Sequence, residues 1–111
     1  MIYDKENIFA KILRKEIPCE TIFENDFILA FKDINPQAKT HILIIPKGEY
    51  VDISEFIQSA PLNEISSFWK SVDELLVHLN LKDKGFQIKT HKGKDGGQEV
   101  FHFHLHLLSN S

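Results

Sequence analysis

Three of the six histidines of this chain stand at alternate positions within five consecutive residues, His102, His104 and His106. They lie in the β-rich run 100–108, and successive side chains of a strand point to opposite faces. A strand here puts the three imidazoles on one face, spaced roughly 6.5 to 7 Å apart. The other face then carries four apolar side chains, Phe101, Phe103, Leu105 and Leu107. A row of imidazoles indicates chemistry, because histidine is neither a typical solvated residue nor a typical core residue.

Nucleophilic catalysis is one chemistry that this row can perform. A neutral imidazole is a competent nucleophile near pH 7 when one ring nitrogen holds the proton and the other is free. His104 has a histidine on each side, which makes it the candidate nucleophile. The glycine-rich loop 93–98 comes just before the row, and its backbone N–H groups and the Gln98 amide are suited to an anion. This pattern predicts attack on an anionic substrate.

A zinc site is the competing interpretation of the same residues. His-x-His on a strand can direct two ring nitrogens at one ion, with His106 or His41 as a third ligand. All three strand histidines converge on one ion only if the strand bends, and Glu99 is the one suitably placed carboxylate. A polar outer face that merely contains histidines is the third alternative.

The remaining chain predicts the elements that position this row. Asn7 is suited to cap a first helix, which Pro18 ends, and Pro61 is suited to the first turn of a long helix. That long helix has an apolar stripe at steps of three and four. The stripe contains Leu62, Ile65, Trp69, Val72, Leu76 and Leu79, with Phe68 and Leu75 beside it. A short helical segment is expected around residues 53–57.

Strands are expected at 21–24 and 27–31, joined in a tight hairpin at Asn25–Asp26, and at 40–45, 85–90 and 100–108. The fold class is therefore α+β: an antiparallel sheet of about five strands with one long and one short helix packed to one side.

Composition limits the possible functions of the chain. Its 111 residues predict a single domain, 1–111, and the 13 Lys+Arg against 16 Asp+Glu give a net charge of −3, which disfavours a nucleic-acid partner. The longest apolar run, 42–45, is too short to span a membrane, and residues 1–7 do not resemble a secretory signal. The single cysteine, Cys19, suits a reducing compartment. We therefore expect a cytoplasmic protein without a membrane partner.

The run 102–108 resembles the His-x-His-x-His-x-x motif, with apolar x, of the histidine-triad (HIT) nucleotide hydrolases and transferases. The resemblance covers nearly the whole chain, and four further segments are similar to the Hint branch of purine nucleoside phosphoramidases. These segments are 8–12, 16–18, 30–38 and 40–47, to which Gly96-Gly97-Gln98 can be added.

The resemblance implies a role for each histidine of the motif. His104 would attack the α-phosphorus and form a nucleotidyl-histidine intermediate, and His106 would contact the phosphate oxygens. His102 and His41 would form a polar relay that orients His104. No metal or other cofactor would be required.

The resemblance also implies a nucleotide site. Asp33 would bind the ribose hydroxyls, and Gln98 and Gly97 would lie at the phosphate. A purine cleft would be lined by Phe9, Ile12, Ile17, Phe31 and Ile34. For these five side chains, plain core packing is the alternative on residue type alone.

Three departures from the family pattern bear on this site. His91 stands where Asn is usual, and Glu99 stands where Ser or Thr is common, so a carboxylate would lie beside the phosphate. The sequence ends at Ser111, without the longer tail that some Hint proteins place across the dimer.

The implied function is hydrolysis of purine nucleoside 5′-phosphoramidates by a homodimer joined through the long helix and an edge strand. The alternatives are a dinucleoside-polyphosphate hydrolase and a nucleotide-binding or scaffold protein with weak turnover.

Overall fold

The computed structural model describes residues 1–111 and contains three helices and five strands. The helices are α1 (Ile8–Leu13), α2 (Ile53–Ser59) and α3 (Leu62–His78). The strands are β1 (Thr21–Glu24), β2 (Ile28–Lys32), β3 (Thr40–Pro46), β4 (Gln87–Lys89) and β5 (Leu105–Ser109). The expected α+β class is confirmed, and both shorter helices predicted along the chain, α1 and α2, are present beside the long one. No helix is long and apolar enough to cross a membrane.

The five strands form one antiparallel sheet in the order β1-β2-β3-β5-β4. The expected β1–β2 hairpin is present, and the Asn25 side chain accepts hydrogen bonds from the backbone N–H groups of Phe27 and Ile28 at its turn. The last strand of the chain, β5, lies between β3 and β4. This insertion places His106, the one histidine of the row that lies within β5, inside the sheet rather than at its edge.

Helices cover both faces of the sheet, which corrects the expectation that they pack to one side. The larger core joins α2 and α3 to one face, and the smaller core joins α1 to the other. The reason is the continuous burial of the central strands: residues 28–31 and 41–46 are buried at every position, so both faces need cover.

The long helix buries a narrower stripe than its sequence pattern predicts. Phe68, Val72, Leu75 and Leu76 are buried against the sheet, whereas Leu62 is 81% and Trp69 39% exposed. A helix that packs on one sheet buries only the part of its apolar stripe that faces that sheet. The buried face of the helix is therefore centred on Phe68 and Leu75, which the sequence pattern placed beside the apolar stripe.

The last strand is shorter than predicted, because β5 begins at Leu105 and residues 100–104 precede it in irregular backbone. Side-chain alternation nevertheless continues from Phe103, which joins Leu105 and Leu107 in the larger core. Phe101 is only half-buried and does not belong to that core. Other segments hold the irregular part: the backbone N–H of Phe103 donates to the carbonyl of Tyr50 over 2.7 Å.

Candidate active site

The histidine face of β5 is the face that α1 covers. Phe9 of α1 meets the ring of His104 edge-on, with ring centroids 4.9 Å apart. The centroids of His104 and His106 lie 5.2 Å apart. His102, at the start of the row, is fully buried, and His104 is 6% exposed. The three expected histidines therefore share a partly enclosed site whose entrance is on the His106 side.

Hydrogen bonds fix which nitrogen of His104 carries the proton. Its Nδ1 lies 2.7 Å from the carbonyl oxygen of His102, which can only accept a hydrogen bond, so Nδ1 is the protonated nitrogen. The backbone around the ring is also held, because the Thr90 hydroxyl donates to the His104 carbonyl over 2.6 Å. In the neutral ring, Nε2 keeps a free lone pair. This is the arrangement that a nucleophilic imidazole requires.

The ring of His102 makes two hydrogen bonds of its own. Its Nε2 lies 3.1 Å from the Pro46 carbonyl oxygen, and its Nδ1 lies 2.6 Å from the Tyr3 hydroxyl. We call the contacts from Tyr3 through His102 to His104 the His104 chain.

In His106 the proton is on the other ring nitrogen, Nε2, rather than on Nδ1 as in His104. The backbone N–H of Gln37 donates to Nδ1 of His41 over 3.0 Å, so the proton of a neutral His41 is on Nε2. That Nε2 lies 3.0 Å from Nδ1 of His106 and donates to it. The remaining proton of His106 is therefore on Nε2, which becomes a donor. We call the contacts from Gln37 through His41 to His106 the His106 chain.

Strand register explains why His41 contacts His106. His41 on β3 pairs with Leu108 on β5, two residues beyond His106, so the two histidines are diagonal neighbours on one face. The resemblance implied that His41 and His102 together orient His104. In the structure the two residues serve different rings: His102 bonds to His104 through its carbonyl, and His41 bonds to His106.

Burial keeps the three motif histidines neutral. It lowers the pKa of His102 to about 4 and, with the neighbouring His104, His41 and His91, lowers the pKa of His106 to about 4. Burial also lowers the pKa of His104, against the opposing effects of its bond to the His102 carbonyl and of Asp33. All three rings are uncharged near pH 7, so the proton positions given above describe the neutral site.

Asp33 lies at the mouth of the site, directly after β2. Its Oδ2 lies 3.3 Å from Nε2 of His41, while Oδ1 accepts the backbone N–H of Asn35 over 2.8 Å. The residue thus makes the turn contact that its sequence context suggests and also faces the His106 chain. Oδ2 keeps lone pairs that a ligand hydroxyl can use.

Of the residues expected in a zinc site, His106 and His41 come together, and the carboxylate beside them is that of Asp33 rather than Glu99. The candidate ligand atoms of the three residues lie within 4.8 Å of one another. His41 is a poor ligand in this arrangement. Its Nδ1 already accepts a backbone N–H, so Nε2 would have to lose its proton and leave an imidazolate before binding an ion. The donor set therefore fits a hydrogen-bond relay better than a zinc site.

The glycine-rich loop does not present the groups that the sequence assigned to an anion. Gln98 is buried: its Oε1 accepts the N–H of Gly93, and its Nε2 donates to the carbonyls of Val51 and Val100. The N–H of Gly97 donates to the Lys94 carbonyl within the loop. Gln98 and Gly97 therefore shape the loop, with Gly97 at a φ of +78° that favours glycine.

The five residues expected to line a purine cleft divide into two groups. Phe9, Ile12 and Phe31 are buried in the smaller core, where they pack against one another and against β3. Ile17 is half-buried beside that core, and Ile34 is 90% exposed. Core packing thus explains the first three, although Phe9 also touches the nucleophile candidate.

Two of the three departures from the family pattern, His91 and Glu99, lie in different surroundings. His91 is half-buried, and its ring centroid lies 5.1 Å from that of His106, so a fifth imidazole borders the site. Glu99 is exposed on the loop. Exposure lets this carboxylate remain hydrated.

No sequence pattern pointed to three groups that hold the site. Tyr3, Thr90 and the carbonyl of Pro46 contact histidines that are 99, 14 and 56 residues away in the chain. Neither a lone tyrosine near a terminus nor a backbone carbonyl has a recognisable pattern. Only the folded chain brings them to the histidine row.

Comparison with known proteins identifies the class that this fold and site define. A family model described as HIT domain matches residues 14–111. A HIT-like protein of Rickettsia prowazekii is 45% identical over 107 residues, which cover 96% of this chain and 89% of that protein. The chain belongs to the HIT family.

Solved structures agree with this assignment. A HIT family hydrolase from Legionella pneumophila has a TM-score of 0.86 and 37% identity, with 96% of this chain and 94% of that chain covered. A histidine triad nucleotide-binding protein from Candida albicans has a TM-score of 0.80 and 30% identity, with 92% and 73% covered. The fold is thus shared with solved HIT family proteins, including a hydrolase.

Proposed function

We propose that the protein is a purine nucleoside phosphoramidase, which cleaves the P–N bond of nucleoside 5′-phosphoramidates. One observation carries the proposal: neighbouring imidazoles with opposite proton positions. His104 offers the lone pair of Nε2, and His106 offers the proton on its Nε2. A phosphorus centre needs both groups, since one must attack it while the other stabilises charge on its oxygens.

The reaction proceeds in two displacements. Nε2 of His104 attacks phosphorus, the P–N bond to the amine breaks, the amine leaves with a proton taken from solvent, and a nucleotidyl-histidine forms. Substitution at Nε2 makes the ring cationic, and its Nδ1–H donates more strongly to the His102 carbonyl in that state. Water then attacks phosphorus and loses a proton to solvent, and the bond between phosphorus and Nε2 breaks, which releases the nucleoside monophosphate and restores neutral His104. No step requires a metal ion.

Nucleotide recognition would begin at Asp33. Oδ2 of this half-buried carboxylate is free to accept ribose hydroxyls beside the histidines. The Candida relative, which is named as nucleotide-binding, supports a nucleotide as the ligand. Ile34, which is exposed next to Asp33, is the one proposed purine contact that is open to solvent.

A homodimer is part of the proposal. Apolar side chains are exposed on α3, including Trp69 and Val77, and β4 is a three-residue strand at the sheet edge. Exposed apolar side chains beside an unpaired edge suit a self-complementary interface. Light scattering should give twice the chain mass of 12.9 kDa.

The test of function compares leaving groups. The protein is incubated with adenosine 5′-phosphoramidate and, separately, with a diadenosine polyphosphate, each with excess EDTA. Faster cleavage of the phosphoramidate supports the proposal. Faster cleavage of the diadenosine compound would identify a dinucleoside-polyphosphate hydrolase instead, and nucleotide binding without turnover would identify a binding protein.

A further inference from the structure

The segment before α1 contains one half-buried aromatic residue among exposed neighbours. Tyr3 turns inward, and its ring meets that of His102 edge-on at a centroid distance of 5.6 Å. Several contacts fix this segment to the protein. The Asp4 carbonyl accepts from the Asn7 side chain, Lys5 pairs with Glu49, and Arg14 donates to the Lys5 carbonyl. Tyr3 is therefore held in place rather than loosely attached.

Two hydrogen-bond partners, the Pro46 carbonyl and the Tyr3 hydroxyl, decide the proton positions of His102. The Pro46 carbonyl can only accept, so Nε2 of His102 must carry a proton. Burial lowers the pKa of this ring to about 4, so it holds no second proton near pH 7. Nδ1 is then a lone pair, and the Tyr3 hydroxyl, 2.6 Å away, donates to it. Burial also raises the pKa of Tyr3, which keeps that hydroxyl protonated.

We propose that Tyr3 is a positioning residue for catalysis, which holds His102 neutral and in one orientation so that the His102 carbonyl can orient His104. This inference rests on the proposed function. His102 bears the carbonyl that fixes the proton of His104, and its own ring is bonded only to Tyr3 and Pro46. Tyr3 touches neither His104 nor the mouth of the site at Asp33.

Loss of the hydroxyl would leave a buried lone pair on Nδ1. The ring then either takes up a proton or turns to find another donor. A proton on His102 would repel the positive charge that His104 acquires in the covalent intermediate, and a turned ring would shift the carbonyl. Both effects slow the chemical step. Neither involves the nucleotide-binding groups, so substrate binding should be preserved.

The variant Tyr3→Phe removes the hydroxyl and keeps the ring contact. We expect kcat on adenosine 5′-phosphoramidate to fall about 5- to 10-fold, as for one hydrogen bond used in the transition state, with KM unchanged. The matched control is Tyr50→Phe. Tyr50 is the other of the two tyrosines, and its hydroxyl donates to Glu64, away from the histidines. This control should keep the wild-type kcat.

A second measurement tests the bond itself. In ¹⁵N NMR spectra of the wild type, His102 should carry its proton on Nε2 alone, and Tyr3→Phe should move the Nδ1 resonance while Tyr50→Phe does not. A wild-type His102 protonated on Nδ1 would overturn the proposal even if Tyr3→Phe failed to fold. So would a Tyr3→Phe kcat within twofold of wild type, or equal losses in both variants. If the wild type cleaves no phosphoramidate, the proposed function fails, and the Nδ1 resonance still decides whether Tyr3 holds His102.

Discussion

The His104 chain and the His106 chain use the same side chain for opposite purposes. The His104 chain ends in a ring whose proton is on Nδ1, so the free atom at the site is an acceptor. The His106 chain ends in a ring whose proton is on Nε2, so the free atom is a donor. The partner at the far nitrogen differs: a carbonyl accepts a hydrogen bond from His104, whereas the ring of His41 donates one to His106. An imidazole thus has its function set by the hydrogen bond at its far nitrogen.

The largest expected effect on kcat comes from replacing His104, the last residue of the His104 chain. His104→Ala removes the nucleophile, so kcat should fall by roughly 10³-fold or more while the Kd for a nucleoside monophosphate changes little. Steady-state kinetics and calorimetric titration measure the two quantities. His78→Ala, at an exposed histidine of α3, is the control and should match wild type. A His104 variant with a tenth of wild-type activity would show that His104 is not the nucleophile.

Loss of His106 should lower kcat less than loss of His104, because His106 stabilises charge on the phosphate oxygens without forming a bond to phosphorus. His106→Ala removes one donor to the phosphate oxygens, so we expect kcat to fall about 10²- to 10³-fold. The same kinetic assay applies. ¹⁵N NMR of the wild type should independently find the proton of His106 on Nε2 and that of His104 on Nδ1. The same proton position in both rings would contradict the comparison between the chains.

The buried start of the His104 chain should make stability depend on pH. The pKa of His102 is 6.5 in an unfolded chain and about 4 in the fold, so between these values the unfolded state binds more protons. The contribution of His102 to the free energy of unfolding is therefore fully present above pH 6.5. It is lost as the pH falls toward 4, by on the order of 3 kcal/mol. Glu49 opposes this shift and His104 adds to it.

Urea unfolding at a series of pH values measures this loss, and NMR titration assigns it. The free energy of unfolding should decline steadily from pH 6.5 to 4.5, and the His102 ring should remain neutral over that range. His78→Ala is again the control and should show the same decline. A His102 that titrates near pH 6.5 would remove the physical basis of the prediction.

The smallest expected effect belongs to Asp33, which lies beside the His106 chain. A 2′-deoxynucleotide should bind more weakly than the ribonucleotide by about 1 to 3 kcal/mol, since a charged acceptor loses its partner. In Asp33→Asn this preference should shrink. The amide oxygen can still accept the N–H of Asn35, so Tm should change little. A variant that unfolds readily and keeps the ribose preference would make Asp33 a turn residue only.

Local sequence patterns predicted several elements well. Asn7 caps α1 as expected, with its side chain accepting the N–H of Ala10, and the hairpin forms at Asn25–Asp26. These features depend only on residues that are neighbours in the chain, so short stretches of sequence are enough to predict them. The alternation of residues 103–107 likewise predicted which side chains enter the larger core. The start of β5 could not be predicted, because Phe103 bonds to Tyr50 rather than to a strand.

The sequence by itself determined that His102, His104 and His106 share one face, that the fold is an antiparallel α+β sheet, and that the chain resembles HIT proteins. The alternation of side chains along a strand and the residue types are enough for these three conclusions. Only the tertiary structure decided which atom of each ring is free, that Gln98 shapes its loop instead of facing a ligand, and that Tyr3 reaches His102. A proton position depends on the partner at the far nitrogen. The partners of His106 and His102 come from distant segments that folding brings within about 3 Å, and the partner of His104 is the carbonyl of His102, whose ring those segments hold.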